Sequence, residues 1–489
     1  MGVEKPTSVL DVSSEGKISH RRKLYSLQEG VYLVPGAQRA AVCDTNTGNV
    51  YSINAVAKNI LLGQEENEGF VNNMKQANLS NGENAQLVEK EQPKFQLEFV
   101  WFEIISDDCN ERCLHCYADS MPPTYRKLQE GKTVSKQLPM FSPKDAESEE
   151  QKQNFKLTAD RWKELIKETY DLGNRSCQFI GGEPFLWRGE SRETVIDLAE
   201  YAKQLGYEQI EIFTNATMVT PRDIERIKQL GLNIAVSLYS SDEAVHDSIT
   251  RTPGSFRKTI KTLERLRDVG IPTRVETVLM KQNEGTIDTT NEFIANMGFS
   301  HRPPDVLRPK GRGGDVTIEP SAENSVKHGL MLGPNFSAPS GFFHRSVLGN
   351  NCLAGKITIT ENGLVLPCIF SRDKPMGSVR KKNLEEVLDG KIKSIWKTTK
   401  DDVLVCQDCE YRYVCFDCRP MSQGASQGIG DYKTAPYPRC TYDPYRGEWG
   451  GGTWKLDDKR QPIYDESLKT IIEKARREGA SNFQRQGHS

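Results

Sequence analysis

The chain has 489 residues, a formal net charge of −2 and twelve cysteines. That length predicts two or three domains, and the near-neutral balance supplies no global basic field of the kind that draws nucleic acid or an anionic membrane surface. No apolar run approaches the roughly 20 residues that span a bilayer, and the polar start MGVEKPTSVLDVSSEGKISHRRK lacks the apolar core of a secretory signal. No nucleic-acid or membrane partner is expected, and the expected location is the cytoplasm.

Residues 1–22 read as a disordered tail. From Tyr25 onward, VYLVP, RAAVCD, the turn TNTGN, VYSIN and AVAKNILLG predict a short strand, a hairpin and a helix capped by Asn54. Residues 23–95 are expected to form a small separate module, with one or two more helices in the polar stretch 64–95.

Residues 96–310 alternate strand and helix. In TPRDIERIKQLG, Thr220 is the N-cap, Pro221 the first helical residue, Asp223 completes a capping-box-like pair, and Gly231 is the stop. Similar punctuation predicts helices at 158–172, 191–205 and 255–269. The runs at 97–106, CQFIGG, QIEIFT, NIAVSL and PTRVETVL, with a sixth near 299–307, are short and mostly apolar, as strands covered by helices should be. The expected fold class is α/β: a partial (β/α)6 TIM-like barrel, with an N-terminal winged-helix-like module and an irregular cysteine-rich C-terminal domain. Chemistry is expected at the C-terminal strand ends. An insert at 121–156 reads as a surface excursion or lid. Residues 311–350, rich in Gly, Pro and Ser, read as a linker; 351–443 hold seven cysteines; 444–489 form an extension with a charged helix near 465–478.

Just past the first strand, CNERCLHC places Cys109, Cys113 and Cys116 in a CxxxCxxC array. Short-spaced cysteines in a long chain favour metal or cluster ligation over disulfides. A zinc site closed by a distant ligand, or by His115, is one reading, although zinc ligands usually come as two pairs. The other is a cube of four irons held by three thiolates, with one iron open. The motif, with Tyr117 directly after it, resembles that of the radical S-adenosylmethionine (SAM) enzymes, and CQFIGGEP supplies Gly181, Gly182, Glu183 and Pro184 where that family has a glycine-rich strand end.

The resemblance implies that SAM occupies the open iron and that reduction of the cluster cleaves it to methionine and a 5′-deoxyadenosyl radical. It also implies that backbone groups at the two glycines approach the methionine amino group and that Tyr117 lies against adenine. Thr214 and Asn215 resemble the family's TNG-like turn. SLYSSDEAVHDSITR resembles its SLDG and HDxxR stretches, which nominates Ser237 and Arg251 for the ribose or carboxylate of SAM. Tyr239 stands where Asp is usual, and HDSITR has one extra residue before the arginine.

Cys352, Gly363 and Cys368 form Cx10Gx4C, followed by Cys406, Cys409, Cys415, Cys418 and Cys440. CQDCEYRYVCFDC alone could be a zinc knuckle, but that leaves the remaining cysteines unused. The whole set resembles the SPASM extension, which holds two auxiliary [4Fe-4S] clusters, making three in all. The resemblance assigns Cys406, Cys409, Cys415 and Cys440 to one cluster and Cys352, Cys368 and Cys418 to the other, whose fourth ligand is missing. Cys43 and Cys177, in apolar strands, read as core residues.

The N-terminal module resembles the recognition element of maturases that act on ribosomally made peptides. An edge near Val50–Ile53 would accept a leader peptide by strand addition. The implied function is oxidative modification of a precursor peptide, by a thioether or carbon–carbon cross-link, with an electron donor such as flavodoxin or ferredoxin. Peptide epimerisation or backbone excision, sulfatase-maturase-type oxidation, small-molecule oxidation and a non-catalytic iron-sulfur protein are the alternatives.

Overall fold

The computed structural model describes residues 25–84, 95–130, 155–300, 302–380, 382–425 and 431–477. The expected disordered tail, most of the expected insert and the end of the C-terminal extension lie outside the described residues. Two units result: residues 1–94, 325–354 and 397–489 form the first, and residues 95–324 and 355–396 the second.

In the first unit, β1 (Tyr25–Leu27) pairs antiparallel with β5 (Ser80–Asn84), while β2 (Val31–Pro35), β3 (Ala40–Asp44) and β4 (Asn49–Ile53) form an antiparallel meander. Asn54 caps α1 (Ala55–Leu61) by accepting from the Ala57 amide at 2.9 Å, and α2 (Glu68–Gln76) follows. Side chains alternate across a strand, and here both faces are covered. Leu33, Ala40 and Val42 pack with Leu61 and Met74; Val34, Ala41 and Cys43 pack with Phe343, Tyr411, Tyr413 and Val414. This explains why all of β3 is buried. It also corrects the expectation of a separate module, because the second face is covered by residues from the expected linker and the cysteine-rich region. The expected edge is partly taken too: Val50 donates to Phe336 O at 3.2 Å, Ala338 donates to Gly48 O at 2.8 Å, and Asn49 bridges Ser337.

The second unit is built on an eight-stranded sheet. β6 (Phe99–Ile105), β7 (Ser176–Gly181), β8 (Gln209–Thr214), β9 (Asn233–Ser237) and β10 (Thr273–Glu276) run parallel in sequence order. The connecting helices include α4 (Ala159–Asp171), α5 (Val195–Leu205), α6 (Pro221–Leu230), α7 (Glu243–Thr250) and α8 (Ser255–Asp268), after α3 (Pro123–Glu130). The Thr220/Asp223 capping box is present, and Gly231 closes α6 at φ +64°. This is the expected α/β partial barrel. The sixth strand shrinks to a parallel bridge between Val278 and Asp305. On the other side of β6 the sheet gains β11 (Lys356–Thr360), parallel to it, then β12 (Leu364–Leu366) and β13 (Gly377–Ser378).

The expected linker is folded. Residues 311–314 and 316–318 form 3-10 turns, and helices run over Ala322–Lys327 and Ser340–Leu348. Scattered apolar residues make the difference: Ile318, Val326 and Phe343 are buried, although Gly, Pro and Ser surround them. Cys43 and Cys177 are buried core residues, as expected.

Behind the barrel wall His246, 1% exposed, accepts from the Tyr239 amide through Nδ1 at 3.3 Å and stacks on the Tyr239 ring at 5.6 Å. Burial pulls its pKa down to about 4. In the unfolded chain the ring takes a proton near pH 6.5, so stability should fall as pH drops from 6.5 to about 4, by on the order of 3 kcal/mol from this residue. Denaturant titrations across that window should show a steeper loss for the parent than for His246→Gln; equal slopes would mean that the folded state accommodates the imidazolium.

Candidate active site

The cysteine loop leaves β6 and is held on several sides by backbone bonds. The Cys109 amide donates to Met121 O at 3.2 Å, the Arg112 amide to Thr250 O at 3.0 Å and the Leu114 amide to Ile249 O at 2.9 Å. Cys109, Cys113 and Cys116 all line a cavity of about 330 Å³ at the strand ends. The Cys109 and Cys113 thiols are pushed well above the usual range, first by burial and then by nearby carboxylates and by one another or Cys116.

The GGEP stretch shapes this loop. A Cβ on Gly181 (φ +147°) would sit 1.8 Å from Ile105 O, and one on Gly182 would sit 2.0 Å from Asp108 O. The Gly182 amide donates to Ile105 O at 2.7 Å and the Glu183 amide to Asp108 O at 3.2 Å. These two amides are therefore engaged within the protein, and both glycines line the cavity. Glu183 is fully buried and does not line the cavity, accepting from Phe185 N at 3.0 Å, Thr214 Oγ1 at 2.7 Å and Asn215 N at 2.9 Å. Burial raises its pKa to about 7 against the pull of those bonds. Pro184 opens a buried 3-10 turn. The effect is to lock the ends of β7 and β8 together beside the cysteines.

Asn215 lines the cavity and points Nδ2 at Asn110 Oδ1 (3.0 Å) and toward Cys109 Sγ (3.8 Å). Tyr117 and Ser237 also line it. Tyr117 stands edge-on to Phe370 at 5.1 Å. Arg251 does not belong to this lining. It is exposed at the end of α7 with φ +53°, because the extra residue in HDSITR carries the arginine past the last helical turn.

Other lining residues carried no motif. Arg274 on β10 is held by Glu211 at 2.7 and 2.8 Å and by Glu276, and Arg312 comes from the expected linker. Strand alternation could have nominated Gln178, Arg274 and Glu276 as polar residues within otherwise apolar strands; nothing in the sequence flagged Arg312.

The residues fit a thiolate-bound cluster and a polar cofactor. Glu111 Oε1, His115 Nδ1 and Tyr117 Oη are buried polar atoms without a hydrogen-bond partner, on residues that line the same cavity as the three thiols. Buried orphans of this kind signal a missing partner. Among the described residues no group of three His, Cys, Asp or Glu side chains is close enough to hold a single metal ion; the donors here are spread around a cavity.

In the first unit, Cys406, Cys409, Cys415 and Cys440 lie close enough to act on one another. Burial, followed by neighbouring thiols, raises Cys409 well above the usual range; Cys440 reaches about 12, and Cys415 about 11 against the opposing charge of Lys400. Val405, immediately before the group, has φ +70°, a strained conformation for a β-branched residue. Beside it lies a buried charge cluster. Lys400 is 3.7 Å from Asp417 and 4.0 Å from Cys406 Sγ, and Arg419, fully buried, pairs with the same Asp417. Two buried cations face one buried carboxylate, an excess that an anionic thiolate cluster would balance. Cys352 and Cys418 also belong to the first unit, whereas Cys368 follows β12 in the second.

Residues 104–294 match the model of the radical SAM superfamily, and residues 352–410 match that of the SPASM iron-sulfur cluster-binding domain. The chain is a radical SAM enzyme with a SPASM domain. It is 25% identical over 324 residues to an AdoMet-dependent heme synthase of Methanosarcina barkeri, covering 59% of this chain and 88% of that one. It is 24% identical over 302 residues to the antilisterial bacteriocin subtilosin biosynthesis protein AlbA of Bacillus subtilis, covering 59% of each. With the PqqA peptide cyclase of Rhizobium meliloti the figures are 23% over 318 residues, 59% of this chain and 80% of the relative. Among solved structures, anSMEcpe with bound AdoMet aligns with TM-score 0.49 and 14% identity over 79% of this chain and 96% of that one. Among the described residues no helix is long and apolar enough to cross a membrane.

The buried charge excess gives a test by iron removal. Chelating iron from the parent should lower the melting temperature more than chelating it from Lys400→Met, because the variant's iron-free state no longer buries an extra cation. Its iron affinity should fall by about 10- to 100-fold. Equal losses on chelation would show that Lys400 does not balance a cluster.

Proposed function

We propose that this enzyme oxidatively modifies a ribosomally made precursor peptide, by a thioether or carbon–carbon cross-link. The observation that carries this reading is the N-terminal sheet. A barrel with auxiliary cysteines does not itself need β2–β4, yet here that sheet shares a core with the cysteine loop 406–415, and the β4 edge beyond Val50 is a place where an extended leader can add. The names of two relatives, a bacteriocin biosynthesis protein and a peptide cyclase, point the same way. The heme synthase relatives favour a second reading, oxidation of a small molecule.

Cys109, Cys113 and Cys116 would hold the SAM-binding cluster, and Cys406, Cys409, Cys415 and Cys440 one auxiliary cluster. When bound, the reduced SAM-binding cluster supplies hydrogen-atom abstraction from an unactivated carbon. The protein's part is to position and to enclose. Asn215, Ser237, Tyr117 and the glycine pair line the cavity and would face the cofactor, with Arg274 and Glu276 also on its wall. Trp101, Phe213 and Phe370 supply apolar wall that excludes water. Bound auxiliary clusters would offer a place for the electron that closing a new bond releases, and reduction of the SAM-binding cluster would call for an electron donor such as flavodoxin or ferredoxin.

The test is anaerobic reconstitution with iron, sulfide, SAM and reductant, reading 5′-deoxyadenosine by mass spectrometry and iron per chain. About twelve irons are expected from three four-iron clusters, with deoxyadenosine lost when Cys109, Cys113 and Cys116 become alanine. Adding candidate precursor peptides separates the readings. A peptide product lighter by two hydrogens supports cross-linking; a product from a porphyrin and none from any peptide contradicts it.

A further inference from the structure

The turn Gly311–Gly314 has the sequence GRGG and lies against the cysteine loop at its backbone. The Arg312 amide donates to Cys116 O at 3.0 Å. Its guanidinium spans two more carbonyls of the same loop, Nε donating to Cys113 O at 2.8 Å and Nη2 to Ser120 O at 2.7 Å. The flanking glycines make this approach possible. Gly311 has φ +56°, and a Cβ there would sit 2.5 Å from Cys116 O and 2.6 Å from Tyr117 O; a Cβ on Gly313 would sit 2.5 Å from Arg308 O and 3.2 Å from His115 O. The turn is anchored to the rest of the unit by Lys310, whose ammonium is 3.1 Å from Asp373.

We propose that Arg312 is the positioning residue of the cysteine loop. Its three donors grip the carbonyls of Cys113, Cys116 and Ser120, and so fix where two of the three cluster thiols stand relative to the SAM end of the cavity. The planar fork matters. A lysine ammonium keeps the charge, but it is a compact donor on a flexible stem and does not reproduce the bridge between Cys113 O and Ser120 O. Outer-shell groups that orient ligands in this way typically change metal affinity or activity by 10- to 100-fold when removed. The inference rests on the assignment of Cys109, Cys113 and Cys116 as the ligands of the SAM-binding cluster.

The experiment uses the full-length, iron-reconstituted protein and reads SAM directly. SAM affinity is measured by equilibrium dialysis, and the EPR spectrum of the reduced protein is recorded with and without SAM. Arg312→Lys should keep the parent's iron content, bind SAM about tenfold or more weakly, and show a reduced SAM-induced change in the spectrum. Full parental affinity and spectral change in Arg312→Lys would overturn the role of Arg312. If that variant loses iron, Lys310→Met loosens the anchor while leaving Arg312 in place; weaker SAM binding at full iron load supports the proposal, and unchanged binding overturns it. A parent protein whose spectrum does not respond to SAM would instead refute the ligand assignment.

Discussion

The second unit depends on how closely the end of β7 can approach the loop that follows β6. The glycine pair at 181 and 182 lets peptide meet peptide there, where any side chain would collide with the carbonyls of Ile105 and Asp108. From that contact the rest of the site follows. Glu183 is carried under the strand ends, where three donors hold it and tie β7 to β8. Asn215 then faces the cysteine loop, and the three thiols open onto one cavity. A buried carboxylate is costly, and the three hydrogen bonds it accepts offset part of that cost while ordering a loop that has little regular structure of its own.

The first unit uses a different device. Its cysteine loop 406–415 has no barrel to support it, and it is held by packing: Tyr411, Tyr413 and Val414 fill one face of the N-terminal sheet. Arg412, almost completely buried, donates to Pro35 O at 2.7 Å and pairs with Asp401 at 2.8 Å, fixing the loop to the same sheet. Short cysteine-rich segments rarely bury enough apolar surface to fold unaided. Borrowing a sheet face supplies it, and any peptide that engages the other parts of that sheet engages the scaffold of the thiols.

Much of this was legible in the sequence, for identifiable reasons. The β/α alternation, the capped helix 221–230 and the cysteine spacings are local patterns, and local patterns survive in a single sequence. What could not be read was long-range partnering. The run RAAVCD read as a strand, but nothing in it told that its second face packs on Tyr411 and Tyr413. The Gly-, Pro- and Ser-rich stretch from 311 looked like a linker by composition; only three-dimensional contact reveals that its glycines permit a clasp on Cys113 and Cys116. Arg251 lies outside the cavity lining for a local reason, one added residue in a helical turn. The roles of Lys400, Asp417 and Arg419 were hidden because isolated charged residues are usually surface residues.

The central claim is that the three-cysteine loop leaves one position for the amino and carboxylate groups of SAM. Electron-nuclear double resonance on the reduced protein, with SAM labelled by 15N at the amino group and 17O at the carboxylate, tests it most directly. Hyperfine coupling from both labels to the cluster is the predicted result. A reduced cluster signal with neither coupling would contradict the account and place a protein ligand in the fourth position.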